Sequence, residues 1–94
     1  MIENSDFNAQ TAKIGWRDLE QFFAAGKVLH VAAGQDLVSI ATWLANDEAE
    51  KIALLIDAEL IAFVNDEQAA QWVRNDAELW AVVVSPLVVV QDIE

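Results

Sequence analysis

Residues 79–91 read LWAVVVSPLVVVQ, an apolar run of mostly β-branched side chains that only Ser85 and Pro86 interrupt. Such residues are enriched in strands, and a strand without polar alternation suits the middle of a sheet that is covered on both faces. Because proline has no N–H to donate to a strand ladder, Pro86 marks a bulge, a turn or an edge. The run predicts either one bent strand or a tight pair of strands, with Val82, Val83 and Val84 in the middle of the core.

The first helix is predicted upstream, within residues 11–25. Large apolar side chains follow one another there at steps of three and four residues, as one face of a helix requires: Trp16, Leu19, Phe22 and Phe23. We expect Gly15 to cap the start of this helix and Gly26 to end it in a left-handed conformation.

Three more helices are predicted over residues 36–45, 48–58 and 66–74. The first of them has the apolar spacing of a buried helical face, and Asn46 and Asp47 end it in a tight corner. Asp47 with Glu50, and Asn65 with Gln68, have the cap-plus-three spacing of helix starts. The side chains expected to face inward from the last two helices are Ala49, Ile52, Ala53, Ile56, Leu60, Ala69, Trp72 and Val73.

Short apolar runs at 27–32 and 60–64 predict two further strands, because glycine or polar turn formers flank them. The order of helices and strands then indicates an α/β or α+β fold, with a three- or four-stranded sheet covered by about four helices. A chain of 94 residues suits a single domain. We expect one globular domain over residues 11–94, after a polar and flexible lead at 1–10.

The charge balance excludes several classes of function. Sixteen acidic and five basic residues give a formal charge of −11, which repels phosphate backbones and anionic lipids, so direct nucleic-acid binding is not expected. The absence of cysteine excludes thiolate metal sites, and a single histidine excludes any site that needs two imidazoles. The three glycines are isolated and form no phosphate-binding loop, so no cofactor is expected. The longest apolar run is shorter than the ~20 residues of a membrane helix, and the start lacks a secretory signal, which predicts a cytoplasmic location.

Four groups of residues carry a family resemblance. They are Lys13-Ile14 with Trp16, Leu19, Phe22-Phe23-Ala24 and Gly26; Asp36-Leu37-Val38 with Ala41; Asp66-Glu67-Gln68-Ala69 with Trp72; and Leu79-Trp80-Ala81-Val82-Val83-Val84 with Pro86 and Gln91. Together they resemble short bacterial proteins grouped as domain of unknown function family 2288. That family often has a glycine where this chain has Ala58-Glu59, and a large aromatic where it has Leu87. The resemblance implies a bacterial, cytoplasmic, single-domain protein, and it implies no activity or binding residues.

Trp43 and the acidic residues Asp47, Glu48 and Glu50 are the candidate interaction residues. Trp43 lies off the apolar stripe of its helix, so it either is exposed and marks a contact surface or caps the rim of the core. The three carboxylates offer oxygen ligands, but their spacing is not that of a calcium loop, and acids at helix starts stabilise the helix dipole. No metal site is therefore predicted.

His30 and Asp36 form the candidate polar site. Histidine is the residue type that titrates nearest neutral pH, so a general base in this chain would most simply be His30, in the middle of a predicted strand. Histidines at such positions more often satisfy a local hydrogen bond. We therefore assign no catalytic residue.

The sequence favours a non-enzymatic protein-interaction or regulatory domain, whose acidic surface meets a basic partner protein or which associates with itself. An alternative is a small-molecule-binding protein or small enzyme in which His30 and Asp36 line a pocket. A third hypothesis is an acidic mimic of nucleic acid, which requires the carboxylates to line one face of the molecule.

Overall fold

The computed structural model describes residues 10–93, so nine residues of the predicted polar lead lie outside the described residues. The elements are β1 (Ala12–Gly15), α1 (Trp16–Ala24), β2 (Val28–Val31), α2 (Leu37–Ala45), α3 (Ala49–Asp57), β3 (Ile61–Phe63), α4 (Asp66–Arg74), β4 (Glu78–Val84) and β5 (Leu87–Asp92). The four predicted helices and the two short strands are confirmed. The run 79–91 forms a pair of strands, joined by a turn at Ser85 and Pro86.

The strands form one mixed sheet in the order β1-β4-β5-β2-β3. The central strand, β5, is antiparallel to β4 and parallel to β2. The fold is thus a small α+β domain, and the expected count of three or four strands is wrong because the sheet has five. The missed strand is β1, whose four residues show no strand pattern of their own and pair with β4 at the edge of the sheet.

The sheet has a hydrophobic core on each face, and β5 contributes to both. Val89 packs on the side of α2 and α3, whereas Val88 and Val90 pack on the side of α1 and α4. All three are at most 3% exposed. Burial on both faces accounts for the absence of polar alternation in this strand.

Several side chains expected in the core lie outside it. Val83 is 55% exposed although Val82 and Val84 are buried, because its side of β4 is uncovered near the hairpin turn. Ile56 and Val73 are 55% and 57% exposed, and Ala49 and Ala53 are exposed too. Each nine-residue helix touches the sheet along a narrow stripe, so the residues beside that stripe remain in solvent.

The four helices named above all end in the same backbone motif, with a residue in the left-handed conformation after the last turn. These residues are Gly26, Asp47, Glu59 and Asp76, with φ of 71°, 55°, 58° and 48°. The N–H of the residue that follows each of them donates to a carbonyl oxygen five positions back, as Leu60 does to Leu55 at 2.9 Å. Only α1 has a glycine at this position, and the three acids stand at the negative ends of the helix dipoles.

This motif corrects the predicted cap of α3. Asp47 ends α2 and does not cap α3, whose N-cap is Glu48 without a side-chain hydrogen bond. The other predicted cap is confirmed, because the Asn65 side chain accepts a hydrogen bond from the N–H of Gln68 at 2.8 Å.

Glu59→Gly is expected to raise the free energy of unfolding by about 1 kcal/mol, since glycine adopts positive φ without steric cost and the acid leaves the helix terminus. Glu20→Gly in the middle of α1 removes the same side chain and charge, and it should lower stability by about 0.5–1 kcal/mol. Urea unfolding followed by tryptophan fluorescence measures both. Equal losses in the two variants would contradict the assignment of Glu59 as a strained helix end.

Candidate functional site: an apolar groove at the sheet edge

An exposed apolar surface lies where α3 meets the edge strand β3. Ile56 of α3 and Phe63 of β3 are 55% and 59% exposed. They line an open cavity of about 350 Å³, called the edge groove below, whose lining residues are Leu29, Ile56, Glu59, Ile61, Ala62 and Phe63. Apart from Glu59, every lining residue is apolar.

The strand register explains why this surface stays open. Ile61 pairs with Val31 and Phe63 pairs with Leu29, so the side chains of Ile61 and Phe63 both face the side of α2 and α3. Ile61 is only 3% exposed, whereas Phe63 projects past the covered part of the sheet. The helix above it, α3, has no buried residue, because it lies over the margin of the sheet.

The backbone of β3 is open as well. Val64 donates its N–H to the carbonyl oxygen of Val28 at 3.1 Å, and Ala32 donates to that of Leu60 at 2.9 Å. In an antiparallel ladder these bonds alternate along the strand, so the N–H and C=O groups of Ile61 and Phe63 point away from the sheet. Within residues 10–93 no strand pairs with this side of β3. The strand has neither the charge nor the proline that usually protects such an edge.

Two of the four predicted interaction residues, Trp43 and Glu48, contact Lys51. The Nζ atom of Lys51 lies 3.1 Å from Oε1 of Glu48 and 5.0 Å from the centre of the Trp43 ring. Trp43 is half-buried and packs against the core. This position agrees with the expectation that it caps the rim of the core, and not with a fully exposed contact residue. Asp47 and Glu50 are exposed nearby in the chain.

His30 does not lie next to Asp36. The sheet separates them: His30 contacts Trp72 of α4, with ring centres 5.6 Å apart, whereas Asp36 caps α2 on the other face. Asp36 accepts hydrogen bonds from the N–H and the hydroxyl of Ser39 at 3.1 and 2.9 Å. Its predicted role as the carboxylate beside His30 is therefore wrong.

The carboxylate beside His30 is Asp92. Nε2 of His30 lies 3.4 Å from Oδ2 of Asp92, but the contact lacks hydrogen-bond geometry, so this buried nitrogen has no hydrogen bond within residues 10–93. Asp92 follows Val90, the register partner of His30, by two residues, which puts both side chains on one face. Sequence reasoning missed Asp92 because the parallel pairing of β2 with β5 joins distant parts of the chain.

A polar recess opens beside Asp92 on this face of the sheet. It has a volume of about 340 Å³, and its lining residues are Gln68, Gln71, Trp72, Asn75, Ala77, Glu78, Leu79, Asp92 and Ile93.

Across the described part of the chain, no three histidine or acidic side chains gather into a group that would hold a metal ion. None of the helices over residues 10–93 has the length and apolar character needed to cross a membrane.

The fold and the edge groove define a small α+β domain with an open sheet edge. Residues 3–92 match the model of the family described as Protein of unknown function (DUF2288), and the chain belongs to that family. It is also similar to PA1075 from Pseudomonas aeruginosa, whose NMR solution structure is 40% identical in sequence with a TM-score of 0.86. That alignment covers 94% of this chain and 82% of the other. Curated proteins give no match.

His30→Leu is expected to leave the free energy of unfolding unchanged or to raise it by up to about 1 kcal/mol, because it removes a buried nitrogen that has no hydrogen bond. Asp92→Asn is the companion variant, and since Asp92 is about half exposed its effect should stay below about 0.5 kcal/mol. Chemical unfolding measures both variants. A loss of about 2 kcal/mol in His30→Leu would show instead that the imidazole stabilises the fold.

Proposed function

We propose that this protein is a non-enzymatic interaction domain that binds a partner protein at the edge groove. The observation that carries the proposal is the coincidence of two exposed large apolar side chains, Ile56 and Phe63, with a strand edge that no other strand of residues 10–93 pairs with. Exposed apolar side chains in a patch, and free strand edges, are both features that other chains bind. The groove is small, so the interaction is of the weak or transient class.

The partner that the charges favour is basic. Glu59 lines the groove, and the chain segments on either side of β3 carry the exposed acids Asp57, Asp66 and Glu67. None of the groove residues is basic, and the nearest lysine on α3, Lys51, is paired with Glu48. Complementary charge of this kind accelerates encounter and selects among partners. The setting that we propose is the bacterial cytoplasm, which the similarity to a Pseudomonas protein supports for the bacterial part.

A second candidate function is small-molecule binding on the other face of the sheet. It is supported by the neighbouring polar recess and by Nε2 of His30, which is buried beside Asp92 and has no hydrogen bond to any described residue. A reproducible extra mass in the native mass spectrum of protein purified from its host, lost in His30→Ala, would favour this function. The nucleic-acid mimic receives no such support, because acids lie on both helical layers, for example Glu50 on α3 and Asp66 on α4.

The proposal is tested by capture from host cells, using two variants of α3. Ile56 and Leu54 are isomeric, exposed side chains of the same helix, and only Ile56 lines the edge groove. We expect Ile56→Ala to weaken binding to the purified captured protein by about tenfold, whereas Leu54→Ala has little effect. Calorimetric titration at low and high salt measures the dissociation constants, which should rise with salt.

Equal losses in Ile56→Ala and Leu54→Ala would show that the groove is not the binding surface. Binding that does not change with salt would contradict the basic character of the partner.

A further inference from the structure

We propose that the partner contributes an extended, basic segment that joins β3 as a sixth strand and places an apolar side chain in the edge groove. This inference rests on the proposed function and specifies how the partner is recognised. Three features of the edge carry it: the direction of its free backbone groups, the position of the groove, and the charges around it.

The free backbone groups of β3 match an extended chain. The outward N–H and C=O groups belong to Ile61 and Phe63, which stand two residues apart. Two residues of a strand span about 7 Å, and an added strand presents its own donors and acceptors with the same period. A helix satisfies its backbone groups internally and offers nothing to these four groups. The edge therefore selects an extended segment.

The position of the groove determines which side chains of that segment face α3 and which face α4. Side chains of an added strand that lie beside Ile61 and Phe63 point to the α3 side, where Ile56 and Phe63 provide apolar contact. The intervening side chains lie beside Ala62 on the other face, where α4 begins with Asp66 and Glu67. The segment that fits best alternates large apolar residues with lysine or arginine.

Charge favours this segment over a second copy of the same chain. Two copies paired through β3 in an antiparallel arrangement would bring Glu59 of one copy towards the acidic start of α4 in the other. Each copy also carries a formal charge of −11. A basic segment carries the opposite charge to these carboxylates, so electrostatic attraction favours its association, whereas two copies of the chain repel each other.

The test uses a short acetylated peptide in which lysine alternates with valine and phenylalanine, titrated into the full chain labelled for NMR. We expect the amide signals of Ile61 and Phe63 to change most, and the dissociation constant to rise at least about fivefold between ~0.1 and ~1 M NaCl. Phe63→Pro removes one outward N–H together with the exposed ring, and it should weaken binding at least about tenfold.

A second pair of measurements does not depend on the folding of a variant. N-methylation of the peptide residues whose N–H groups face β3 should abolish binding, whereas N-methylation of the intervening residues should leave the dissociation constant within about twofold. Equal effects of the two methylation patterns would overturn strand addition.

The remaining outcomes separate this inference from the proposed function. Binding with signal changes around Glu48 and Glu50 would overturn strand addition and leave a basic partner in place. Concentration-dependent dimerisation through Ile61 and Phe63 would identify a second copy as the occupant and overturn the inference. If the peptide does not bind, the inference fails, and the comparison of Ile56→Ala with Leu54→Ala still decides the proposed function.

Discussion

The fold depends on the burial of one strand, β5, on both of its faces. Val88, Val89 and Val90 leave almost no surface to solvent, so helices must cover both sides of the sheet and neighbouring strands must pair on both edges of β5. The chain meets this requirement with two nine-residue helices on each face. Four helices of that length cover three central strands and leave the margins of a five-stranded sheet less protected. The open edge at β3 is therefore a consequence of how the centre is built.

The helix ends connect this architecture to the charge of the protein. Three of the four helices turn into the next segment through an acidic residue at positive φ, where glycine would be less strained and a cation better placed. Glu59 stands both at such an end and in the lining of the edge groove. Glycine would adopt this positive φ without steric cost, so the acid adds negative charge to the groove at some cost in stability. The carboxylate that makes the proposed binding site negative is therefore also a residue that lowers the stability of the fold.

Local pattern predicted much of the fold, and long-range pairing accounts for what it missed. Apolar spacing and glycine placed α1, and the cap of α4 was visible in Asn65 and Gln68. The segment β1 is recognisable as a strand only through its pairing with β4. Likewise, the proximity of Asp92 to His30 depends on the parallel pairing of β2 with β5. The exposure of Ile56 and Phe63 follows from how far α3 reaches over the sheet. None of these relations is encoded in the spacing of neighbouring residues, so the groove could not be predicted.

Residue-resolved amide hydrogen exchange of the free protein tests the central claim that a fully buried centre leaves β3 open. The amides of Val89 and Val90 should exchange slowest, and those of Ala62 and Val64 should be protected relative to Ile61 and Phe63, whose N–H groups point to solvent. In the monomer, we predict rapid exchange at both outward amides. Protection of Ile61 and Phe63 equal to that of Ala62 and Val64 would contradict the account, because it would show that the edge is already covered.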